Sequence, residues 1–199
     1  MHLLASLTSP YARKLRVLIE ELGLDIAVIE TAPLADGAAL VAANPLHKVP
    51  ALVLDDGSSL IDSPVIAAWL LAQAPGHALV AADGPAHWRA RSFEALTDGI
   101  LDAALALRIE ASHGAAARNP EWPTRYRTAI GDTLAALPAA RAAIGHDGFG
   151  YADICLVVTL DYLGFRFPDI DWRAVPGLAA LHAAAAERAA LVATRPPEG

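Results

Sequence analysis

Two serines stand directly before prolines at points where helical spacing begins, Ser9-Pro10 and Ser63-Pro64. Each pair reads as an N-cap followed by N1: a serine oxygen accepts from a first-turn amide, and proline at N1 gives up no needed hydrogen bond. The chemistry such a start offers is stabilisation of negative charge by free backbone amides and the positive end of the helix dipole. A lone Ser-Pro is ordinary capping, but two in one small unit give two ends at which an anion is stabilised. Between them lies Asn44-Pro45-Leu46-His47-Lys48-Val49-Pro50-Ala51-Leu52. Pro50, directly before a strand, pushes Val49 into an extended conformation and removes one amide donor. An X-Pro bond is also where a cis peptide is least unfavourable, and in that form the Val49 backbone would turn outward and pair with an extended peptide. The plainer alternative is a simple strand-entry turn.

These residues need elements to hold them. His2 to Ala5 is a short apolar run, and Pro10 to Leu22 carries Leu15, Leu18, Ile19 and Leu22 at helical spacing, closed by Gly23. Ile26 to Ile29 reads as a second strand, residues 33 to 43 as a loop and short helix, and Ala51 to Leu54 with Ser58 to Ile61 as a hairpin across Asp55-Asp56-Gly57. Pro64 to Gln73 is a helix, giving the order β-α-β-α-β-β-α. From about residue 86 onward only helical periodicity appears, in Trp88 to His113, Trp122 to Ile144, Tyr151 to Leu163 and Pro176 to Ala193. A helical bundle is the natural packing of such runs. The spacing predicts an α/β domain over 1–75, a breaker-rich linker over 76–85 and an all-helical domain over 86–199.

Composition narrows the function classes. Of 199 residues 55% are hydrophobic, enough for a sizeable core, and the net charge is −7 with the 15 Lys+Arg spread along the chain. That distribution lacks the basic footprint a nucleic-acid binder needs. The single cysteine, Cys155, reads as a buried small hydrophobe. The histidines His2, His77, His87, His113, His146 and His182 are too far apart to suggest a ligand pair, so no metal is expected. No apolar run reaches bilayer length and no secretory signal opens the chain, which points to a soluble cytoplasmic protein without a membrane partner.

The residues carry a family resemblance. Thr8-Ser9-Pro10-Tyr11-Ala12-Arg13-Lys14, Asn44 to Leu52, Ile61-Asp62-Ser63-Pro64-Val65-Ile66 and Gly150-Tyr151-Ala152-Asp153 together resemble a cytosolic glutathione transferase of a bacterial group with Thr-Ser-Pro at the first helix and Asp-Ser-Pro at the third. The resemblance implies a thioredoxin-like N-terminal domain, an all-helical C-terminal domain, a homodimer, and conjugation of glutathione to a small, mostly apolar electrophile in detoxification. It implies that Ser9 donates a hydrogen bond to the glutathione sulfur, with Thr8 and Ser6 as rival hydroxyls. Val49 would pair through its backbone with the cysteinyl unit, Lys48 would sit near the glycyl carboxylate, and Asp62 and Ser63 would hold the γ-glutamyl end. A free thiol has a pKa of about 8.5 and only its thiolate is nucleophilic, so Ser9 would act by stabilising the thiolate, a serine hydroxyl being no base.

Two positions depart from the family pattern. His47 stands where many members have glycine and reads as a tolerated loop substitution; Gly150 stands at an N-cap where Ser or Thr is common, with Asp153 at N3 and Phe149 and Ile154 at staple spacing. Asp98 and Asp102 form a like-charge pair four apart on a helix; Asp98, Arg108 and Tyr11 are weaker candidates for contact with the second substrate. Alternatives to conjugation are another glutathione-dependent reaction, such as isomerisation or peroxide reduction, and a non-catalytic glutathione-binding or regulatory protein on the same fold.

Overall fold

In the computed structural model, which describes residues 1–32, 37–80, 83–113, 119 and 121–197, the chain divides into two compact units. The first runs from Met1 to Ala78 and takes back the chain from Glu187 onward. Its elements are β1 (His2–Ala5), α1 (Pro10–Leu22), β2 (Ala27–Glu30), α2 (Ala38–Ala43), β3 (Ala51–Val53), β4 (Ser59–Leu60) and α3 (Ser63–Gln73). The sheet order is β2-β1-β3-β4, with β1 and β2 parallel and the other neighbours antiparallel. This is the thioredoxin-like arrangement the spacing and the resemblance led us to expect. Residues 33–36, the start of the expected short helix, lie outside the described residues.

α1 owes its limits to its ends. Ser9 sits at the N-cap in extended conformation and Pro10 opens the helix. Gly23 closes it in the left-handed region at φ 61°, donating to Glu20 while Leu24 N–H reaches the Ile19 carbonyl, so the last carbonyls are satisfied. Leu15, Leu18 and Ile19 are buried as the spacing requires. α3 corrects one expectation. It begins at Ser63 itself, so the cap position falls to Asp62, whose side chain makes no capping bond; only its carbonyl accepts, from Val65 and Ile66.

The C-terminal run also departs from the sequence reading. One helix from Pro176 to Ala193 was expected in the helical domain; instead α7 (Leu178–Ala185) ends, and α8 (Ala189–Ala193) packs on α1 in the first unit. Arg13, almost fully buried, donates to the Leu191 carbonyl at 3.1 Å, and Arg188 forms a two-pronged pair with Glu21 at 2.9 and 2.7 Å. Alanine-rich sequence favours one continuous helix, but these tertiary bonds hold Arg188 in extended conformation and break it.

The second unit, Leu79–Ala186, consists of α4 (Gly84–Ser112), α5 (Glu121–Ala143), α6 (Tyr151–Arg166) and α7, with a short 3-10 turn at Trp172–Ala174. α6 is apolar nearly all round and is buried from Tyr151 to Leu160, including the thiol of Cys155. α4 packs along both α5 and α6. Gly150 at the head of α6 is explained by space rather than by capping. A Cβ there would stand 2.8 Å from the Leu79 carbonyl oxygen, too close without a shift of the backbone, and 3.0 Å from the His146 ring. The Leu79 carbonyl is drawn in because it accepts from Tyr151 N–H at 2.8 Å.

Candidate functional site

Sheet register brings the expected residues to one end of the first unit. In the β1–β3 pair Leu4 faces Ala51, and in the β3–β4 pair Leu52 faces Leu60. Because antiparallel partners run oppositely, β1 leaves the sheet where β3 enters it and β4 leaves it. The residues after Ala5, before Ala51 and after Leu60 therefore leave the sheet at the same end. Neighbouring strands are about 4.8 Å apart, so β1 and β4 lie about 10 Å apart across β3. An extended tripeptide spans about 10 Å.

The turn after β1 carries three hydroxyls. Ser9 N–H donates to the Ser6 carbonyl at 3.1 Å, closing the turn, and Ala12 N–H donates to Ser9 Oγ at a long 3.3 Å. Ser9 Oγ is thus an acceptor in the cap and keeps its own hydrogen for a donor role. Ser6 Oγ and Thr8 Oγ1 lie 3.2 Å apart, so one of their two hydrogens is used between them.

Asn44 shapes the segment before β3. It is 2% exposed; its Oδ1 accepts from Leu46 N–H at 2.9 Å, its carbonyl accepts from His47 N–H at 2.9 Å, and its Nδ2 donates to the Lys48 carbonyl at 2.7 Å. Below it Leu40 and Ala43 of α2 pack on Leu4 and Ala51, with Val49 and Ile61 against the same cluster. The turn holds His47 at φ 56°, a left-handed conformation that favours glycine. It also presents Lys48 exposed and ends in a cis bond at Val49–Pro50, the isomer the sequence reading allowed for. The Ile61–Asp62 bond is cis as well. Sequence reasoning passed over Asn44; its signal was the Asn-Pro pair, since an asparagine before a turn bonds its own backbone.

Charge is left available at this end. Among the described residues Lys48 and Asp62, both exposed, have no hydrogen-bond or ion-pair partner for their side chains, and the Val49 backbone makes no hydrogen bond. Ser63 is 3% exposed, with neither its hydroxyl nor its amide bonded among the described residues. One cation, one anion, an extended backbone edge and two helix starts therefore belong to the segments that follow or precede one end of the sheet. Together they suit a short peptide that carries both an ammonium group and carboxylates.

The other candidates lie elsewhere in the chain. Asp98 on α4 is half-buried and Asp102 exposed. Asp98 bears on Tyr151, whose hydroxyl donates to Glu94 Oε1 at 2.7 Å while Arg91 holds Glu94 Oε2 at 2.7 Å. Burial above all, then the charges of Cys155 and Glu94, hold the Tyr151 phenol well above its ordinary range. This network, 3% exposed at Glu94, was not foreseen from the sequence. Arg108 is exposed on α4. Among the described residues no group of three or more His, Cys, Asp or Glu is placed to hold a metal, and no helix is long and apolar enough to cross a membrane.

Comparison with known proteins agrees with this geometry. Residues 3–78 match the model of the glutathione S-transferase N-terminal domain. An uncharacterized GST-like protein, YibF, from Escherichia coli (strain K12) is 33% identical over 168 residues, 83% of each chain. A glutathione transferase family member from Pseudomonas fluorescens Pf-5, solved with bound glutathione, is 38% identical and superposes with a TM-score of 0.90 over 99% of each chain. A second Pf-5 structure, holding S-(propanoic acid)-glutathione, is 36% identical, with a TM-score of 0.85 over the whole of both chains.

Proposed function

This chain belongs to the glutathione S-transferase family, and from that premise we propose that it binds glutathione at the sheet end described above and transfers its sulfur, as thiolate, to a small electrophile. The observation that supports the reading is the sheet register, which brings the end of β1, the start of β3 and the end of β4, the segments next to Ser9, Val49 and the Asp62-Ser63 pair, to one end of the sheet. In this reading the tripeptide lies along the Val49 edge. Asp62 faces the α-amine and Ser63 the α-carboxylate of the γ-glutamyl unit. Lys48 faces the glycyl carboxylate, and the cysteinyl sulfur turns toward Ser9.

Ser9 then acts through the hydrogen its cap does not use. A donated hydrogen bond and the α1 dipole, worth up to about 2 kcal/mol when partly buried, favour the thiolate over the thiol. Each pKa unit of lowering corresponds to about 1.4 kcal/mol, so about two units suffice to make thiolate the major form at neutral pH. The sulfur forms a bond to the electrophilic carbon and the displaced electron pair leaves with the departing group or moves into the acceptor. No protein sulfur takes part, in keeping with a chain whose only cysteine is buried in α6. The Pf-5 relative solved with S-(propanoic acid)-glutathione holds a glutathione whose sulfur carries a carbon substituent, the form a conjugation product takes.

The test is thiolate absorbance of bound glutathione titrated against pH, in the wild type and in Ser9→Ala, beside turnover of a chloronitrobenzene. The expected result is a bound thiol pKa below 7 that rises by about one unit in Ser9→Ala, with a matching loss of turnover near neutrality. An unchanged pKa in Ser9→Ala removes Ser9 from the role, and absence of glutathione binding removes the reading.

A further inference from the structure

One buried charge of the first unit has no part in the glutathione reading. Arg13, four residues past the Ser9 cap on α1, is 2% exposed. A guanidinium is costly to bury, and a leucine or methionine would fill the same room at lower cost, so the charge needs a reason other than packing. Its Nη2 donates to the Leu191 carbonyl at 3.1 Å, a bond between residues 178 apart in the chain. One turn on, the half-buried Arg16 donates through Nη1 to the Thr194 carbonyl at 3.4 Å.

Both acceptors belong to the last turn of α8, where a helix has carbonyls without an intrahelical amide to pair with. At five residues α8 is far too short to hold in water by itself, so its order depends on what it packs against. That is α1: Arg13 and Arg16 take its carbonyls, Glu21 takes Arg188, and Arg195 reaches back to Glu187 at 3.0 Å to close the tail on itself. The same residue touches the cap. Arg13 N–H donates to the Ser9 carbonyl at 2.9 Å, the bond that closes the first turn, beside the long 3.3 Å bond from Ala12 N–H to Ser9 Oγ. First turns fray, and a side chain fixed in the interior at the residue that closes the turn holds the backbone there still.

We propose that Arg13 is a positioning residue: by latching the returning tail onto α1 it fixes the first turn and so aims the Ser9 hydroxyl at the glutathione sulfur. The inference rests on the glutathione-transfer reading and deepens it, since it makes the order of the tail a control on how strongly the thiolate is favoured. A serine hydroxyl on a fraying turn divides its time among staggered rotamers, and only one of them keeps the cap bond while the hydrogen points to the ligand. The latch works through a hydrogen bond to a carbonyl. An ammonium can make that bond in place of the guanidinium, and a thioether cannot.

Two measurements on the whole chain test this. In the glutathione-free protein, amide hydrogen exchange at Ala12 and Arg13 is compared with that at Leu70, which is fully buried in α3 and reports opening of the fold as a whole. Relative to Leu70, the two amides are expected to exchange about tenfold faster in Arg13→Met and within about threefold of the wild type in Arg13→Lys. In the complex, the pKa of the bound thiol, read by thiolate absorbance, is expected to rise by about half a unit in Arg13→Met and to return to the wild-type value in Arg13→Lys. Where Arg13→Met fails to fold, Arg188→Gln frees the tail from its exposed end, with about threefold faster exchange of the same two amides as the expected result. Unchanged relative exchange in the folded variants, or a thiol pKa that stays put while exchange speeds up, overturns the proposal and leaves the glutathione reading standing. An ordinary thiol pKa in the wild-type complex overturns that reading, and with it the aiming of Ser9, whatever the exchange shows.

Discussion

The heads of α1 and α6 begin with the same physics and end with opposite uses. Each starts a helix with first-turn amides and a positive dipole end. At α6 the donors are consumed by the protein: Gly150 N–H goes to Asp153 Oδ2 at 2.8 Å, Tyr151 N–H to the Leu79 carbonyl at 2.8 Å, and Asp153 N–H to the Gly150 carbonyl at 2.9 Å. Asp153 is in turn gripped by Arg141, Nε to Oδ1 at 2.7 Å and Nη2 to Oδ2 at 2.9 Å, a bond that raises the Arg141 pKa. At α1 the cap is one hydroxyl that accepts loosely and keeps a hydrogen to give. A helix N-terminus serves a ligand only through groups its neighbours have not already satisfied, and at α1 that group is the hydrogen of the Ser9 hydroxyl.

Breaking α6 carries the largest expected effect. Asp153→Ala strands a mostly buried Arg141 and is expected to lower stability by about 3–5 kcal/mol, read by urea denaturation. A loss below 1 kcal/mol would mean that the head of α6 is not the closed structure described. Gly150→Ser comes next. Serine is the better cap by propensity, yet its Cβ would meet the Leu79 carbonyl, so a loss of about 1–3 kcal/mol is expected, and a stabilised variant would show that capping outweighs space.

At α1 the order inverts, with function more sensitive than fold. Ser9→Ala is expected to reduce turnover near neutral pH about three- to fivefold while lowering stability by about 1 kcal/mol or less. An equal effect on both would return Ser9 to plain capping.

Tyr151 at the α6 head gives a pH signature. Its folded pKa is raised, so the neutral phenol stabilises the fold fully below the unfolded value of about 10, and that stability is lost as pH climbs from there toward the folded value. Between pH 10 and 11 the wild type is expected to lose up to about 1.4 kcal/mol more than Tyr151→Phe; parallel curves for the two proteins would contradict it. The smallest effect falls on the exposed Lys48, where Lys48→Ala is expected to weaken glutathione binding about threefold by calorimetry, loosening one end of the tripeptide without touching the sulfur.

Much of this was legible before any coordinates. Leu15, Leu18 and Ile19 announce α1 through period and Gly23 ends it, because both signals are local: a stripe of apolar side chains and a residue that tolerates φ 61°. Motif and charge type proposed Ser9, Lys48, Val49, Asp62 and Ser63 as the candidate site. What escaped was anything set by a distant neighbour. Asn44 organises its turn from a buried position, Gly150 answers to Leu79, and the break before α8 follows from Arg188 meeting Glu21, 167 residues away along the chain.

The sequence by itself determined which segments coil, which extend and where the breaks between them fall, since those choices depend on backbone preference and periodic burial within a few residues. It also determined what chemistry was on offer: hydroxyls, one lysine, one aspartate and a proline-edged strand. Only the tertiary structure decided which of those groups are left unsatisfied. Register across three strands brings the end of β1, the start of β3 and the end of β4 to one end of the sheet, while equally polar groups at Gly150, Asp153 and Arg141 satisfy one another. A hydrogen bond is made once, and whether a donor faces its own chain or a ligand depends on what the fold packs beside it.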